Sequence, residues 1–325
     1  MTNGRTREIS VAGIILLLFA LLGVRAPEYF SRANLQDMFL SNVPVLLVAL
    51  GMTLVILTRQ IDISVGSVFA ISSVACGVFA KWGLPVPLAA LAAGATGAAL
   101  GSLNGLLVAY LRIPSIIVTL AAMVAWRDAL RWTTQGAWIE DLPSGFQWLG
   151  LPQSAYPAAM FALALVLVGT FAWGLRNLAA GRAVFATGSN AETARLAGIP
   201  VASVTFLSFA VLGALSGLAA ALNSVRFNQI PSNTGLGLEM KVIAAVLVGG
   251  TAITGGTGSI GGTVLGVILM GAIGPALTFL GVSAYWEKAI QGGIILATIG
   301  LDATRAYSRK HRLEKHGSRL ATNRT

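Results

Sequence analysis

Ten apolar stretches follow one another along this chain, each close to the length a bilayer crossing requires: 9–24, 43–58, 65–80, 88–111, 115–130, 157–175, 201–222, 239–253, 263–280 and 286–301. Inside hydrocarbon every backbone amide must find its partner within the protein, so only helices or a closed barrel can cross, and runs of this length are helical. The sequence therefore predicts an all-α polytopic membrane protein of about ten transmembrane helices, several short enough to be tilted or broken. Only 10% of the 325 residues are charged, against about 25% in an ordinary soluble domain. Glycine is abundant, at 38 residues, as expected where helices must approach closely without a water-driven force between them.

The net charge of +10 invites a nucleic-acid reading, but the basic residues sit at chain ends and in short connections, where they orient a membrane protein. If both termini are cytoplasmic, Arg59, Arg112, Arg176, Arg182 and Arg195 all fall inside and the acidic pair Glu140-Asp141 falls outside. Arg25, Arg32, Lys81 and Arg226 are exceptions to that arrangement. A basic tail at 302–325 carries His311 and His316, read as solvated residues and not as metal ligands. The first apolar stretch ends at Val24-Arg25-Ala26, which resembles a signal-peptide cleavage site; an uncleaved first helix is the preferred reading. Cys76 is the single cysteine and is read as packing.

Two polar interruptions draw attention in a chain that otherwise avoids charge. The first is Arg59 to Ser67, between two apolar runs. An Asp near membrane depth is costly and is normally paired, buried against protein or facing water. Asp62, Ser64, Gly66 and Ser67 fit a discontinuous helix of a transport protein, with glycine allowing close backbone approach and serines satisfying freed amides. An ordinary turn in which Asp62 or Ser64 caps the next helix fits equally well. The second interruption is 176–200, where Asn190 reads as the N-cap of a short cytoplasmic helix containing Glu192, Ala194 and Arg195, stopped by Gly198-Ile199-Pro200. A solvated loop without a partner is the alternative.

Gly97, Gly101 and Gly105 share one helix face beside Asn104, and Gly213 and Gly217 repeat that spacing further on. These are packing positions, with Asn104 either bonding between helices or lining a cavity. Arg127 and Asp128 close another span and, being adjacent, point about 100° apart. The long connection 133–156, acidic and rich in Trp, reads as an outside lid or docking surface, or as an interfacial belt. The glycine-rich turn 254–262 has no Gly-Lys-Ser/Thr ending and so no phosphate-binding lysine. Gly51-Met52-Thr53 with Gly66-Ser67-Val68 weakly echoes Gly250-Thr251 with Gly262-Thr263-Val264, as two related helix-turn-helix halves would.

Three stretches together resemble the integral-membrane permease subunits of bacterial ATP-binding-cassette sugar importers of the ribose, rhamnose and autoinducer-2 group. Ile61-Asp62-Ile63-Ser64-Val65-Gly66-Ser67 is similar to that family's Asp-Leu-Ser-Val-Gly-Ser signature, with Ile63 in place of Leu. Asn104-Gly105, Ile113-Pro114 and Thr119-Leu120 match a second block, and Ile243 to Val246 with Gly249-Gly250-Thr251 and Gly255-Gly256 a third. Glu192-Thr193-Ala194 with Gly198 resembles the Glu-Ala-Ala…Gly loop by which such permeases contact their ATPase, with Thr193 replacing the second Ala.

The resemblance implies a type II importer-like fold and a single transmembrane permease domain over 1–325, with 176–200 as its coupling loop. It also implies partners: ATPase subunits that carry ATP and Mg, a second permease copy or paralogue, a periplasmic sugar-binding protein, and the bacterial inner membrane around them. The chain itself is then no enzyme and holds no cofactor, catalytic residue or metal. Thr134 to Pro143 and Gly235 to Lys241 most resemble the rhamnose and autoinducer-2 members, with rhamnose favoured. The competing class is an ion-coupled secondary transporter using Asp62, Asn104 and Arg127 as a midplane coupling site. An intramembrane enzyme has little support, since no metal cluster or nucleophile-base constellation is present in the sequence.

Overall fold

The computed structural model describes residues 2–298 and residue 300. Its elements are α1 (Thr2–Arg25), α2 (Arg32–Leu57), α3 (Val65–Lys81), α4 (Val86–Ala109), α5 (Ser115–Thr134), α6 (Tyr156–Asn177), α7 (Ala179–Ser189), α8 (Ala191–Leu196), α9 (Val201–Ser224), α10 (Leu238–Val248) and α11 (Ile260–Phe279), after which residues 286–298 are helical. Among the described residues strand pairing is confined to a single bridge, Ile139 with Ile230. The basic tail at 302–325 lies outside the described residues.

All ten expected apolar segments are helical over most of their described residues, but they are not ten equal crossings. Six are long and apolar enough to span a membrane: α1, α2, α4, α6, α9 and α11. α3 is 17 residues long and α10 only 11, while α5 has the length but carries Arg127, Asp128 and Arg131.

α2 is the axis of the bundle. Leu47, Val48, Ala49, Leu50 and Met52 are all buried, so it is enclosed on every face, as an all-round apolar helix must be. α4 and α9 pack backbone to backbone because glycine removes the side chains between them. A Cβ on Gly97 would strike the carbonyl of Gly213, and one on Gly101 that of Phe209. α1 and α6 lie at the perimeter with few of their described residues buried, the pattern of a lipid-facing wall. α1 is anchored by Leu22, buried beside Tyr29 and Ala276. Across the centre, the hydroxyls of Thr53 in α2 and Thr263 in α11 lie 2.8 Å apart, joining the two stretches that echo each other in sequence.

Three boundaries depart from expectation. α2 begins at Arg32 and not at Val43, because its polar first turns are held by neighbours: Arg226 pairs with Asp37 at 2.6 Å, and Asn34 donates to the Tyr29 carbonyl at 2.6 Å. α10 stops at Val248, short of Ile253, where Gly249 and Gly250 turn the chain, the latter at φ 97°. α7 is a helix that the sequence pattern does not announce. Gly181 and Gly188 lower its intrinsic helix propensity, but both sit where backbone passes too close for any side chain.

The long connection 133–156 is tied down along its length. Ile139 exchanges two backbone hydrogen bonds with Ile230, Lys81 donates to the Glu140 carbonyl at 3.0 Å, and Phe146 is buried.

Candidate functional site

The first polar interruption is a break in the helical core. α2 ends at Leu57, Arg59 takes the left-handed conformation at φ 66°, and the chain runs without regular structure to Ser64. α3 therefore starts inside the bundle: the Ser67 hydroxyl donates to the Met123 carbonyl at 2.7 Å, about 12 Å along α5 from Ser115.

Asp62 is 1% exposed and Ser64 and Asn104 are fully buried. A carboxylate here must be compensated by donors, and three are present. The backbone amide and hydroxyl of Ser64 donate to Asp62 Oδ1 at 2.8 and 2.6 Å, and Asn104 Nδ2 donates to Oδ2 at 3.3 Å and to the Ser64 hydroxyl at 2.9 Å. Asp62 thus closes a turn over Ser64 and does not bond the first amides of α3, while Ser64, at the N-cap position, makes no side-chain capping bond. The simple capping alternative is not the arrangement found. Nearby, the Ser115 hydroxyl accepts from the Ile61 amide at 3.3 Å, whereas Asn104 Oδ1 and the Thr119 hydroxyl are buried without a protein partner.

A second dip meets the first from the opposite side. The segment between α9 and α10 turns inward, so that Gly235 lies against Gly66 and Phe69; a Cβ on Gly66 would strike the Gly235 carbonyl at 2.6 Å and also the Glu239 carboxylate. This contact requires glycine at both positions, Gly235 having φ 78° as well. Arg127 is 8% exposed and donates to the Thr234 carbonyl at 2.9 Å, with Glu239 as its charge counterpart. Asp62, Ser64 and Asn104 are thus brought together, and Gly66 and Ser67 sit one turn along. Arg127 is directed to the Thr234 dip instead, so the three-residue constellation of Asp62, Asn104 and Arg127 does not form as one cluster.

At the end of the bundle where α2 finishes, the second polar interruption folds as α7 and α8. Asn190 Oδ1 accepts from the amides of Glu192 and Thr193, both at 3.0 Å, and Gly198 ends the helix at φ 80°. Ala194 is buried against the bundle; Glu192 and Arg195 pair at 3.2 Å on the outer face beside Leu196, which is 82% exposed.

The junction beneath α8 was not expected from the sequence. A Cβ on Gly188 would overlap the Leu57 carbonyl and the Gly256 amide, and the Gly256 amide donates to that same carbonyl at 2.9 Å. Arg59 Nε donates to the Thr254 carbonyl at 2.5 Å. The end of α2, the end of α7 and the glycine-rich turn before α11 thus form one close-packed knot, and Asp62 follows directly on from it. The available signal was the pair Gly255-Gly256, whose positive φ values of 77° and 71° mark a backbone approach, not a phosphate loop.

Known proteins resemble this chain over most of its length. The family model described as branched-chain amino acid transport system / permease component matches residues 34–299. The chain is 38% identical over 316 residues, 96% of its length and 92% of the relative's, to the autoinducer 2 import system permease protein LsrC of Enterobacter sp. (strain 638). It is 37% identical over 296 residues to the protein of that name from Escherichia coli O157:H7, covering 91% of this chain and 86% of the other. It is 38% identical over 296 residues to the one from Yersinia pseudotuberculosis serotype O:1b (strain IP 31758), covering 91% and 84%. No solved structure matches significantly. These relatives carry the autoinducer 2 name, and the preference for rhamnose drawn from the loop motifs gains no support from them.

Proposed function

The chain belongs to the family of branched-chain amino acid transport system permease components, and from that premise we propose that it is the permease subunit of an ATP-binding-cassette importer for autoinducer 2 in the bacterial inner membrane. It is a transport subunit. In this reading ATP and Mg belong to a separate ATPase, a second permease copy or paralogue completes the pathway, a periplasmic binding protein delivers the solute, and both termini are cytoplasmic.

The observation that carries the reading is the mechanical continuity from α8 to Asp62. α8 offers an exposed face of Glu192, Arg195 and Leu196, and its buried Ala194 seats it on the bundle. Through α7 and Gly188 that seat bears on the Leu57 carbonyl, and Leu57 leads into the break at 58–64. Closure of the ATPases displaces α8, and the displacement reaches the break as a shift at its first residues. A nucleotide-driven change acts only through such differential contacts. The Arg127–Thr234 bond speaks against an ion-coupled site, because the cation is committed elsewhere than to Asp62.

The test is uptake by vesicles holding the permease with its ATPase and binding protein. Labelled autoinducer 2 accumulates only with internal access to ATP. Accumulation driven by a proton or sodium gradient, with the permease alone, overturns the proposal.

A further inference from the structure

A cavity of about 410 Å³ opens between α2, α3, α9, α10 and the helical residues 286–298, within the size range of small-molecule sites. Its apolar side is Pro44, Val45 and Phe69, and Gly235 brings in the contact with Gly66 that separates it from the Asp62 cluster. Its polar side is Asn223, Lys241, Glu287 and Gln291.

These polar groups are poorly supplied with partners from the protein. Among the described residues the side chains of Asn223 and Lys241 make no hydrogen bond and no ion pair, although Lys241 feels the attraction of the Glu287 carboxylate. Gln291 is 4% exposed and spends one amide hydrogen on Glu287 Oε1 at 3.0 Å. Glu287 itself lies against Gly274 of α11, where any side chain would displace it. Asn223 and Lys241 are half-buried on the wall of the open cavity, so their donors and acceptor are available to an occupant.

We propose that this cavity is a transit site for a neutral polyhydroxylated solute, hydrogen-bonded by Asn223, Lys241 and Gln291 against the apolar wall of Pro44 and Phe69. Neutrality follows from the charge count of the inner wall, one cation in Lys241 and one anion in Glu287; the further cation, Lys288, stands exposed at the rim over Gly237. Hydroxyl groups both donate and accept, which matches a wall holding a carboxylate, an ammonium and two amides. The site lies directly above the meeting of the two broken segments, so an occupant is placed where the pathway parts. The proposal deepens the importer reading and rests on it for the direction of passage.

The test uses the full chain with Cys76→Ala and Ala284→Cys, a lining position outside the proposed hydrogen bonds, purified into lipid nanodiscs and labelled with a small thiol reagent. Autoinducer 2 or L-rhamnose at high millimolar concentration slows labelling about tenfold, and sodium sulfate at equal ionic strength does not. Adding Lys241→Met weakens that protection about tenfold, while Lys241→Arg retains most of it. Absence of protection by both polyols, or equal protection by sulfate, overturns the site. Should ATP-driven uptake of autoinducer 2 fail while polyol protection persists, the importer reading falls and the cavity stands. Successful uptake without protection removes the cavity and leaves the importer standing.

Discussion

The helical core is interrupted twice by the same device built from different materials. Between α2 and α3 the gap at 58–64 is filled by side chains: Asp62, Ser64 and Asn104 share four hydrogen bonds in a site closed to water. Between α10 and α11 the gap at 249–259 is closed by backbone. There Gly249 lies against Gly262, Gly255 against Arg59, and Gly256 against Ser189, while the buried Thr251 hydroxyl has no partner at all. A polar filling defines one geometry, because its donors converge on Asp62 and Ser64 from fixed directions, with Asn104 Nδ2 serving both. Glycine contact defines mainly a distance and so tolerates no added atom, and the bonds that accompany it, from the Gly256 amide to the Leu57 carbonyl and from Arg59 to the Thr254 carbonyl, are accepted by main chain. The first gap is thus sensitive to chemistry and the second to volume.

Adding volume where the glycines meet should have the largest effect. Gly188→Val places atoms on the Leu57 carbonyl, and overpacking of this kind costs about 3 kcal/mol or more where backbone cannot yield. The variant should lose its monodisperse peak on size exclusion in detergent; a wild-type profile and melting temperature would show that the knot is loose.

Removing chemistry from the polar gap comes next. Asn104→Leu strips one of the donors from a buried carboxylate, a loss of about 2–3 kcal/mol for a bond to a charged group, read as a lowered melting temperature. The matching change in the glycine gap, Thr251→Val, deletes an unpartnered hydroxyl and should fall within about 0.5 kcal/mol of wild type. Equal losses from the two changes would erase the distinction between the gaps.

Asp62→Asn keeps the shape and an acceptor for Ser64 while removing the charge. Vesicle uptake should drop about tenfold, the equivalent of one charge-assisted bond, with the complex still assembling; undiminished uptake would reduce Asp62 to a structural turn. The smallest effect on stability is expected at Glu192→Lys, since the pair with Arg195 is exposed on both sides. Its melting temperature should be unchanged while co-purification of the ATPase declines, and full co-purification would remove Glu192 from the contact.

Much of this architecture was readable from residue pattern. Long apolar runs located every major helix, and Asn190 with Gly198 marked both ends of α8, because caps and stops depend on a few residues close in sequence. Asp62, Ser64 and Asn104 stood out as polar groups in apolar surroundings. What escaped was whatever depended on distant backbone. Arg127 could be seen as buried charge, but its acceptor is the Thr234 carbonyl, and a carbonyl has no signature in sequence. The knot at Leu57, Gly188 and Gly256 is likewise an encounter of main chains, visible beforehand only as glycines that several kinds of packing would explain. α7 was hidden because its glycines are chosen for proximity and read as helix breakers.

The hydroxyl pair of Thr53 and Thr263 bears on how the two halves move past one another. Each hydroxyl also has a carbonyl of its own helix within reach, Ala49 at 2.7 Å for Thr53 and Ser259 at 3.2 Å for Thr263. Should the halves slide apart, the one proton shared between the hydroxyls reverts to its own helix's carbonyl, the other bonding its carbonyl already, and no donor is stranded, so this contact opens for about the worth of one hydrogen bond. It behaves as a low-friction bearing, firm at rest and cheap to shear.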